Sequence, residues 1–419
     1  MLLSLLALSQ QAHAFCGTYV GGAGSEFFNE YAQVAVVRSG EKTTLTIVND
    51  IQGTFDSFAL ILPVPQVILE DQARVLEPAV FERLDTYSQS RLVTYECSDF
   101  EVQDDVDFST SVPNAEGGDE DGGVEVEAEY IVGEYEVVVL SAEQSEGLFD
   151  WLNNNGYQVP GQSIPLLQEY INNGQYFLAA KVSAEAGIQP GDVLSPLQLE
   201  YNSAAFQIPI RLGTLNAKTE QDLVIYAIND YSEGRIGISN YPEFDIEDEC
   251  MWESQGEEFG TYYSDRFRQN YEAVNDAAWM VEYAWGGGGC DPCTGTPPNG
   301  EDLVSLGVNQ DLVHYSEYFF TRLHMRYAPD QVDEELMLYN SNLTDQIQQR
   351  YIIYKPEMEE HFPICDVGMI ENPGTCDNMD ENGNQKSETS SCSSMPVGEL
   401  GSWGLLGLIA FGLTYRKES

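Results

Sequence analysis

The sequence predicts an α+β fold with antiparallel or mixed sheets and a few packed helices. Short runs rich in Val, Ile, Leu and Thr alternate with turn residues, which is typical of strands. Helical periodicity is confined to a few segments between these runs. Because strands and helices come in unequal blocks, the pattern disfavours a doubly wound parallel sheet. A disordered acidic loop and a C-terminal transmembrane helix complete the predicted architecture.

The strand predictions begin with a meander near the N-terminus, where apolar and β-branched runs are separated by Gly, Glu and Asp turns. A longer strand-rich run over residues 124–140 is interrupted by Gly133. The strands of the meander are expected over residues 33–38, 43–49 and 58–64, and the other strands over 92–96, 176–182, 197–201, 206–212, 223–228 and 318–327.

Three segments carry helical periodicity. Residues 142–155 end in an Asn-rich sequence followed by Gly156, which is typical of a helix C-terminus. Residues 164–173 predict a second, shorter helix. Residues 265–284 predict the longest helix, because apolar residues recur there at steps of three and four. The residues of this stripe are Phe267, Tyr271, Val274, Ala278 and Val281.

The chain divides into a body and its appendages. Residues 15–355 contain the strand and helix signals and are expected to form the body. Within it, residues 98–124 are acidic and glycine-rich without apolar periodicity, which predicts a disordered insertion. Residues 356–398 are rich in Cys, Ser and Asn and predict a stalk that holds the body away from a membrane.

The first 14 residues have the organisation of a signal peptide. Residues 2–8 form a short apolar segment, and Ala12 and Ala14 are the small residues that signal peptidase requires at positions −3 and −1. We therefore expect cleavage after Ala14 and export of the body.

Residues 399–419 predict a membrane-spanning sorting segment. As a helix, the apolar stretch 400–415 would reach roughly 24 Å, against a hydrocarbon core of roughly 30 Å. Snorkelling flanks and local thinning of the bilayer allow such a stretch to span. Its four glycines disfavour a buried helix of a soluble domain, and Arg416 and Lys417 should stay on the cytoplasmic side.

The charge balance restricts the class of partner. The chain has 18 Lys and Arg against 69 Asp and Glu, which gives a net charge of −51. Such a surface repels nucleic acid and anionic lipid, and a solvated acidic coat is its simplest interpretation. The partners that remain are the membrane at the C-terminal helix, a small anion, and another envelope component.

Five groups of residues together carry a family resemblance. They are FCG at 15–17 with Gly24, Ser25 and Asn29; ALILPVP at 59–65; the block 133–139 with Trp151, Leu152, Gly156 and Tyr157; the segment 285–293; and TRLH at 321–324 with Arg326 and Tyr327. They resemble an uncharacterised bacterial family, domain of unknown function 2330. The resemblance covers residues 15–355 and implies an exported bacterial protein with no assigned activity.

The tail resembles a second, shorter pattern, the MYXO-CTERM type of C-terminal sorting signal. In that type, a cysteine such as Cys392 precedes the span and a basic end follows it. The single Cys392 and the ending Arg416, Lys417 and Glu418 depart from the usual pattern.

Eight cysteines in an exported chain suggest disulfides. If Cys392 belongs to the sorting signal, seven remain and one thiol is odd. Cys365 and Cys376 are close enough in sequence to staple a loop. Two further arrangements are a tie between Cys16 and Cys97, and Cys250 joining a cluster with Cys290 and Cys293.

Cys290 and Cys293 have the spacing of a redox pair. Thioredoxin-like chemistry needs the first thiolate at a helix N-terminus, whereas this pair follows a predicted helix and four glycines. The charge of Asp291 would also oppose a neighbouring thiolate. Zinc would need two more ligands, and the sequence has no second CxxC. A structural disulfide is therefore favoured, and a thiol-disulfide oxidoreductase is the alternative.

The predicted strand at 318–327 carries an unusual basic face. A period of two places Phe320, Arg322, His324 and Arg326 on one side of the strand. One interpretation is a partly solvated face that is ion-paired to the abundant carboxylates. The other is a site for a small anion or carboxylate ligand, since arginine binds such groups through two parallel hydrogen bonds.

No catalytic constellation is present in the sequence, which lacks HExxH, GxSxG and phosphate-loop motifs. Residues 378–383 imitate the start of a calcium loop, but Asn378 and Thr389 replace its first Asp and its Glu. No specific cofactor or metal is therefore expected, with Ca²⁺ the one ion that the acidic segments could collect. We expect an exported, membrane-tethered envelope protein that acts as a noncatalytic binding or structural module.

Overall fold

The computed structural model describes residues 18–21, 32–49, 58–93, 124–157, 159–182, 194–215, 217, 219–246, 249–251, 259–290, 293 and 295–353. The chain forms two compact units. The first comprises residues 1–91, 105–248 and 258–350, and the second comprises 92–104, 249–257 and 351–419. Several sheets and a few helices occur in the described ranges, which confirms the predicted α+β class.

The strands are short to medium in length. In chain order they are β1 (Thr18–Gly21), β2 (Ala32–Ser39), β3 (Lys42–Asn49), β4 (Phe58–Val64), β5 (Ala73–Val75), β6 (Arg91–Val93), β7 (Val124–Val132), β8 (Tyr135–Ala142), β9 (Tyr176–Val182), β10 (Leu197–Asn202), β11 (Gln207–Ile208), β12 (Gln221–Asp230), β13 (Ile236–Ile238), β14 (Glu249–Met251), β15 (Ala278–Gly286), β16 (Tyr318–Tyr327), β17 (Leu336–Asn340), β18 (Ile347–Gln348) and β19 (Arg350–Ile353).

Helices lie between blocks of strands. In chain order they are α1 (Ala79–Ser88), α2 (Ser145–Asn154), α3 (Ile164–Asn172), α4 (Arg211–Thr214), α5 (Phe259–Val274), α6 (Gly300–Ser305) and α7 (Gln310–His314).

Two large sheets dominate the first unit. One has five antiparallel strands in the order β1-β4-β9-β8-β7. The other has eight strands in the order β18-β15-β16-β12-β2-β3-β10-β5, and its strand pairs are antiparallel except for β12 with β2. A small sheet, β11-β17-β13, adds residues such as Ile236 and Leu336 to the core between them.

The side chains of the two large sheets sort into three apolar clusters, which define four layers. The inner faces of both sheets share one core, with Val36 and Ile225 from the larger sheet and Leu62 and Leu178 from the smaller. Helices α2 and α3 cover the outer face of the five-stranded sheet. Helix α1 and the segment around Leu303 cover the outer face of the eight-stranded sheet. Alternate residues of each strand therefore enter different layers, as the period of two requires.

Covering on both faces explains the composition of the central strands. In β12, all residues from Leu223 to Ile228 are fully buried, so the strand reads as a continuous apolar run. The predicted break at Gly133 is a hairpin turn between β7 and β8, where the residue has a φ of +54° that favours glycine. Most strand predictions in the described ranges are confirmed in this way.

The second unit contains a short sheet. Strand β14 pairs in parallel with β19, and Cys250 lies opposite Ile352 in this register. The order of the sheet is β14-β19-β6.

Two predictions of secondary structure are wrong. The helix expected over 265–284 is helix α5, which ends at Val274, followed by strand β15 from Ala278. The first residue after the helix, Asn275, has a φ of +58°, a left-handed conformation typical of a residue that ends a helix. The strand expected over 206–212 is only β11, because helix α4 begins at Arg211.

Four predicted segments lie outside the described residues. They are the signal peptide at 1–14, the acidic insertion up to residue 123, the stalk, and the sorting segment. In the part of the chain that the structure describes, no helix is long and apolar enough to cross a membrane.

Candidate functional site: a buried charge network

The predicted basic face of β16 exists, and it points into the layer between the eight-stranded sheet and its outer helices. Phe320 belongs to the outer apolar cluster, whereas Phe319 and Leu323 belong to the inner core. Arg322 and His324 share the outer side with Phe320. The period of two therefore predicted the orientation of this strand correctly.

A β-bulge in the neighbouring strand β15 supplies the first carboxylate. The register shifts between Val281 and Tyr283, so Glu282 is an extra residue without a partner on β16. This geometry lets Glu282 and Tyr283, which are consecutive in sequence, both face the outer layer. The Gln349 N–H donates to the Glu282 carbonyl at 2.8 Å, which satisfies the backbone of the bulge.

Arg322 is only 4% exposed and contacts two carboxylates. Its Nε donates to Glu282, and its Nη1 donates to Asp85 Oδ1 of helix α1 at 2.7 Å. The Tyr226 hydroxyl donates to the same Asp85 oxygen at 3.1 Å, and the guanidinium lies 5.5 Å from the Tyr226 ring centroid. Arg322 therefore ties helix α1 to the three central strands.

His324 lies between two carboxylates. Its Nδ1 is 2.9 Å from Glu282 Oε1, and its Nε2 is 3.1 Å from Asp222 Oδ1. An ionised carboxylate can only accept, so both contacts are hydrogen bonds only when both ring nitrogens carry a hydrogen. The ring also stacks on Phe267 of helix α5, with centroids 4.1 Å apart. The geometry thus favours the imidazolium form.

Arg326 is the third cationic side chain in the row that Arg322 and His324 form on this face of β16. Its Nε and Nη2 donate to the two oxygens of Asp222, each at 2.7 Å, in a bidentate pair. Its guanidinium lies 4.7 Å from the Phe267 centroid and 5.8 Å from that of Tyr271. These aromatic side chains come from helix α5, so this helix covers the same row of charges from above.

These contacts determine the direction in which the pKa values of the two carboxylates that His324 contacts shift. Burial acts to raise the pKa of Glu282, but the charges of Arg322 and His324 and the hydrogen bonds from His324 and Tyr263 hold it well below its usual range. Burial opposes the charged form of Asp222 too, yet His324 and Arg326 lower its pKa.

His324 responds in the opposite direction. Burial alone would lower its pKa, but the charge of Glu282 and hydrogen bonds to Asp222 and Glu282 outweigh that effect and raise it. The row then contains three cationic groups and three carboxylates that neutralise one another: Arg322, His324 and Arg326 with Asp85, Asp222 and Glu282.

Ion pairing of this face, as one of the two sequence interpretations expected, is therefore present. The exposure of this face is uneven, because Arg322 and Glu282 are almost completely buried, whereas the His324 and Arg326 side chains keep 12% and 18% of their surface exposed. The second interpretation, an anion or carboxylate-ligand site at Arg322, His324 and Arg326, stays a prediction, and a ligand there would have to compete with carboxylates already in place.

The carboxylates of the network were not found from the sequence. Asp222 lies directly before the strand predicted over 223–228, and its position opposite Arg326 depends on the pairing of β12 with β16. Glu282 lies in the segment predicted as a helix, and no sequence pattern there indicates a strand with a β-bulge. Asp85 lies 237 residues from Arg322 and reaches it only through the tertiary fold.

The cysteine motif forms a disulfide between Cys290 and Cys293, as the structural interpretation expected. The pairing leaves neither sulfur for a bond to Cys250. The Gly289 carbonyl, which directly precedes the disulfide, accepts a hydrogen bond from the Tyr87 hydroxyl at 2.8 Å and contacts the Tyr283 hydroxyl. These contacts fix the start of the disulfide loop to helix α1 and strand β15.

The predictions for the other cysteines fall on residues or side chains that the structure does not describe. The side chain of Cys250 lies outside the described residues, as do the four body and stalk cysteines and the sorting cysteine. The residues concerned are Cys16, Cys97, Cys365, Cys376 and Cys392. Within the described ranges, no group of three or more His, Cys, Asp or Glu side chains is placed to hold a metal ion.

Comparison with known proteins places the chain in a family without an assigned activity. The chain belongs to domain of unknown function 2330, and the family model, described as an uncharacterized protein conserved in bacteria, matches residues 10–339. No curated protein matches the chain.

Among solved structures, the chain is similar to a mutated baculovirus P35 after caspase cleavage, at 10% identity and a TM-score of 0.24. The likeness covers 50% of this chain and 73% of that one. At this TM-score it supports no conclusion about fold or function.

Replacing Arg322 by Gln should lower the free energy of unfolding by about 3–5 kcal/mol, because Glu282 would lose its buried cationic partner. The matched control is Arg268→Gln, since Arg268 pairs with Asp265 and is 54% exposed. That variant should lose about 0–1 kcal/mol. Chemical denaturation measures both values. Small and equal losses would mean that the buried pair contributes no more than a solvated one.

The stability of the body should fall as pH rises above about 6.5, the ordinary pKa of histidine. The folded state holds the His324 proton more tightly than the unfolded state, so its contribution is complete below that pH and is lost as pH rises through the raised folded pKa. The loss should be about 1.4 kcal/mol per unit of difference between the folded and unfolded pKa values.

Denaturation curves between pH 5 and 9 measure this dependence. His324→Gln should remove the decline, whereas His314→Gln, at an exposed position, should keep it. An unchanged decline in His324→Gln would assign the titration to another group.

Proposed function

We propose that this protein is an exported, membrane-tethered envelope protein whose body is a noncatalytic structural or binding module. The observation that carries the proposal is the closed charge network. Its cations and carboxylates neutralise one another beneath helices α1 and α5.

The chemistry of the network supports a structural role. A general base needs a free lone pair within reach of a substrate. Both nitrogens of His324 face carboxylates, and one face of its ring stacks on Phe267. The guanidinium of Arg326 is engaged by both oxygens of Asp222. The His324 ring and the Arg326 guanidinium hold helices and strands together, and neither is placed to exchange a proton with a substrate.

Two sequence features support export and tethering. The apolar segment at 2–8 with Ala12 and Ala14 has the organisation of a signal peptide. The apolar stretch 400–415 with the basic pair after it has the organisation of a stop-transfer segment. The acidic composition suits a protein that is soluble outside the cytoplasm and approaches the membrane only through its tail.

Protease added to intact spheroplasts should degrade the body, because the proposed topology places residues 15–390 outside the cytoplasm. A variant that ends at residue 398 should leave the membrane fraction, because it lacks the proposed span. A cytoplasmic marker protein must stay intact in the same sample. Full protection of the body while the marker is also protected would place it in the cytoplasm and contradict the proposal.

One observation favours an enzymatic alternative, a thiol-disulfide oxidoreductase. Cys290 and Cys293 form a disulfide, and Cys293 is exposed, so an external thiol could reach its sulfur. Against this alternative, the motif follows strand β15 and its glycines, and the next helix among the described residues begins only at Gly300, whereas a reactive thiolate is typically stabilised at a helix N-terminus.

Differential alkylation with mass spectrometry should find Cys290 and Cys293 oxidised and slow to react in the folded protein. Insulin-reduction assays should show no turnover above that of a Cys290→Ser, Cys293→Ser double variant. Rapid labelling of either thiol after mild reduction, together with turnover that the double variant lacks, would favour the oxidoreductase.

A further inference from the structure

A second group of polar side chains, buried at Asn229 and half-buried at Glu233 and Asn340, lies where strands β2 and β12 end. These two strands run in parallel, and Ile228 of β12 is opposite Val37 of β2. Asn229 follows directly, and its Nδ2 donates to Asn340 Oδ1 at 3.3 Å. The Asn340 side chain is also hydrogen-bonded to Glu233, which lies in the short turn after β12. Asn340 therefore joins Asn229 to Glu233.

Two oxygens of this group lack hydrogen-bond partners. Asn229 is only 2% exposed, and its Oδ1 is buried without a partner. Glu233 Oε2 is likewise buried without a partner. A buried acceptor that has lost its water costs about 1–3 kcal/mol, and more when it is charged. Two such atoms on side chains joined by one amide indicate that something absent from the protein chain completes their coordination.

The local charge indicates what is missing. A second carboxylate, Asp230, is close enough to Glu233 to add its negative charge to the group. Arg38 is the nearby cation that favours its charged form, but its guanidinium donates to Thr43 Oγ1, the Glu41 carbonyl and the Ser203 carbonyl. The group therefore has excess acceptor oxygens and excess negative charge together.

The backbone around the group is held firmly. Gly234 has a φ of +68°, and a Cβ there would lie 2.3 Å from the Leu343 carbonyl oxygen, so the two segments touch. The Glu233 carbonyl accepts from the Asn342 N–H at 2.9 Å, and the Arg235 N–H donates to Leu343 at 2.7 Å. These bonds fix Glu233 against the chain that follows β17. The oxygens are therefore held in position before any ligand arrives.

We propose that Asn229, Glu233 and Asn340 form a binding site for a hard divalent cation of the calcium class. Amide and carboxylate oxygens are the ligands that such ions prefer. A cation would satisfy the unpartnered Asn229 and Glu233 oxygens and neutralise the local negative charge, whereas a water molecule would do only the first. Two of the three side chains in this set are amides, so it differs from the groups of His, Cys, Asp and Glu that form most transition-metal sites.

Calcium titration of the full-length protein tests the site, with calorimetry and thermal unfolding as readouts. Calcium should bind in the range of about 10⁻⁴–10⁻³ M, as in extracellular modules, and should raise the melting temperature above a sodium chloride control of equal ionic strength. Glu233→Gln should weaken this binding at least tenfold, as about 1.4 kcal/mol of lost interaction would.

The matched control is Asp380→Asn, in the segment 378–383 that imitates a calcium loop; it should leave this binding unchanged. Asn229→Asp guards against misfolding of the first variant, because a second carboxylate should increase the rise in melting temperature with calcium.

The inference is overturned by any of three results. They are the absence of a calcium effect above the sodium control, an effect that Glu233→Gln retains, and an effect that only Asp380→Asn removes. Because this site is separate from the charge network, none of these results bears on the proposed module or its topology.

Discussion

The constraint on which the rest of the structure depends is that the eight-stranded sheet is covered on both faces. Its inner face packs on the second sheet, and its outer face is covered by helices, so the central strands are largely shielded from solvent on both sides. A charge on those strands must then be neutralised by an opposite charge or satisfied by hydrogen bonds. Arg322, His324 and Arg326 can occupy one strand face only because carboxylates from β12, β15 and helix α1 are within hydrogen-bond distance. The network is the consequence of the layering.

The bulge at Glu282 shows how a local irregularity serves this requirement. Trp279 and Val281 face the inner core, so a regular strand would keep Glu282 on the outer face but would turn Tyr283 toward the inner core. The extra residue leaves the Glu282 carboxylate at Arg322 and His324 and brings Tyr283 to the same side, where it closes the apolar cluster against Tyr87. Two demands on one strand, a buried carboxylate and a buried aromatic ring, are met by a single shift of register.

Local sequence patterns predicted what depends on near neighbours. The face of β16 followed from the period of two, and most strands followed from apolar runs between turn residues. The helix expected over 265–284 failed because β15 is buried on both faces, so its apolar residues continue the helical stripe without an alternation that would mark a strand. The partners of the site could not be predicted, since Asp85 and Asp222 meet β16 only through the assembled fold.

The charge network differs in one physical respect from the group formed by Asn229, Glu233 and Asn340. In the charge network, the carboxylates and cations satisfy one another, and replacing such a set by apolar residues is often neutral for stability, so its value lies in fixing which strands and helices meet. At the ends of β2 and β12, two acceptor oxygens have no partner in the protein. A satisfied network has no capacity left for a ligand, whereas an unsatisfied one gains free energy when a ligand arrives. In a body without a catalytic constellation among its described residues, incomplete satisfaction is therefore the better guide to where a ligand binds, even though the charge network contains more titratable groups.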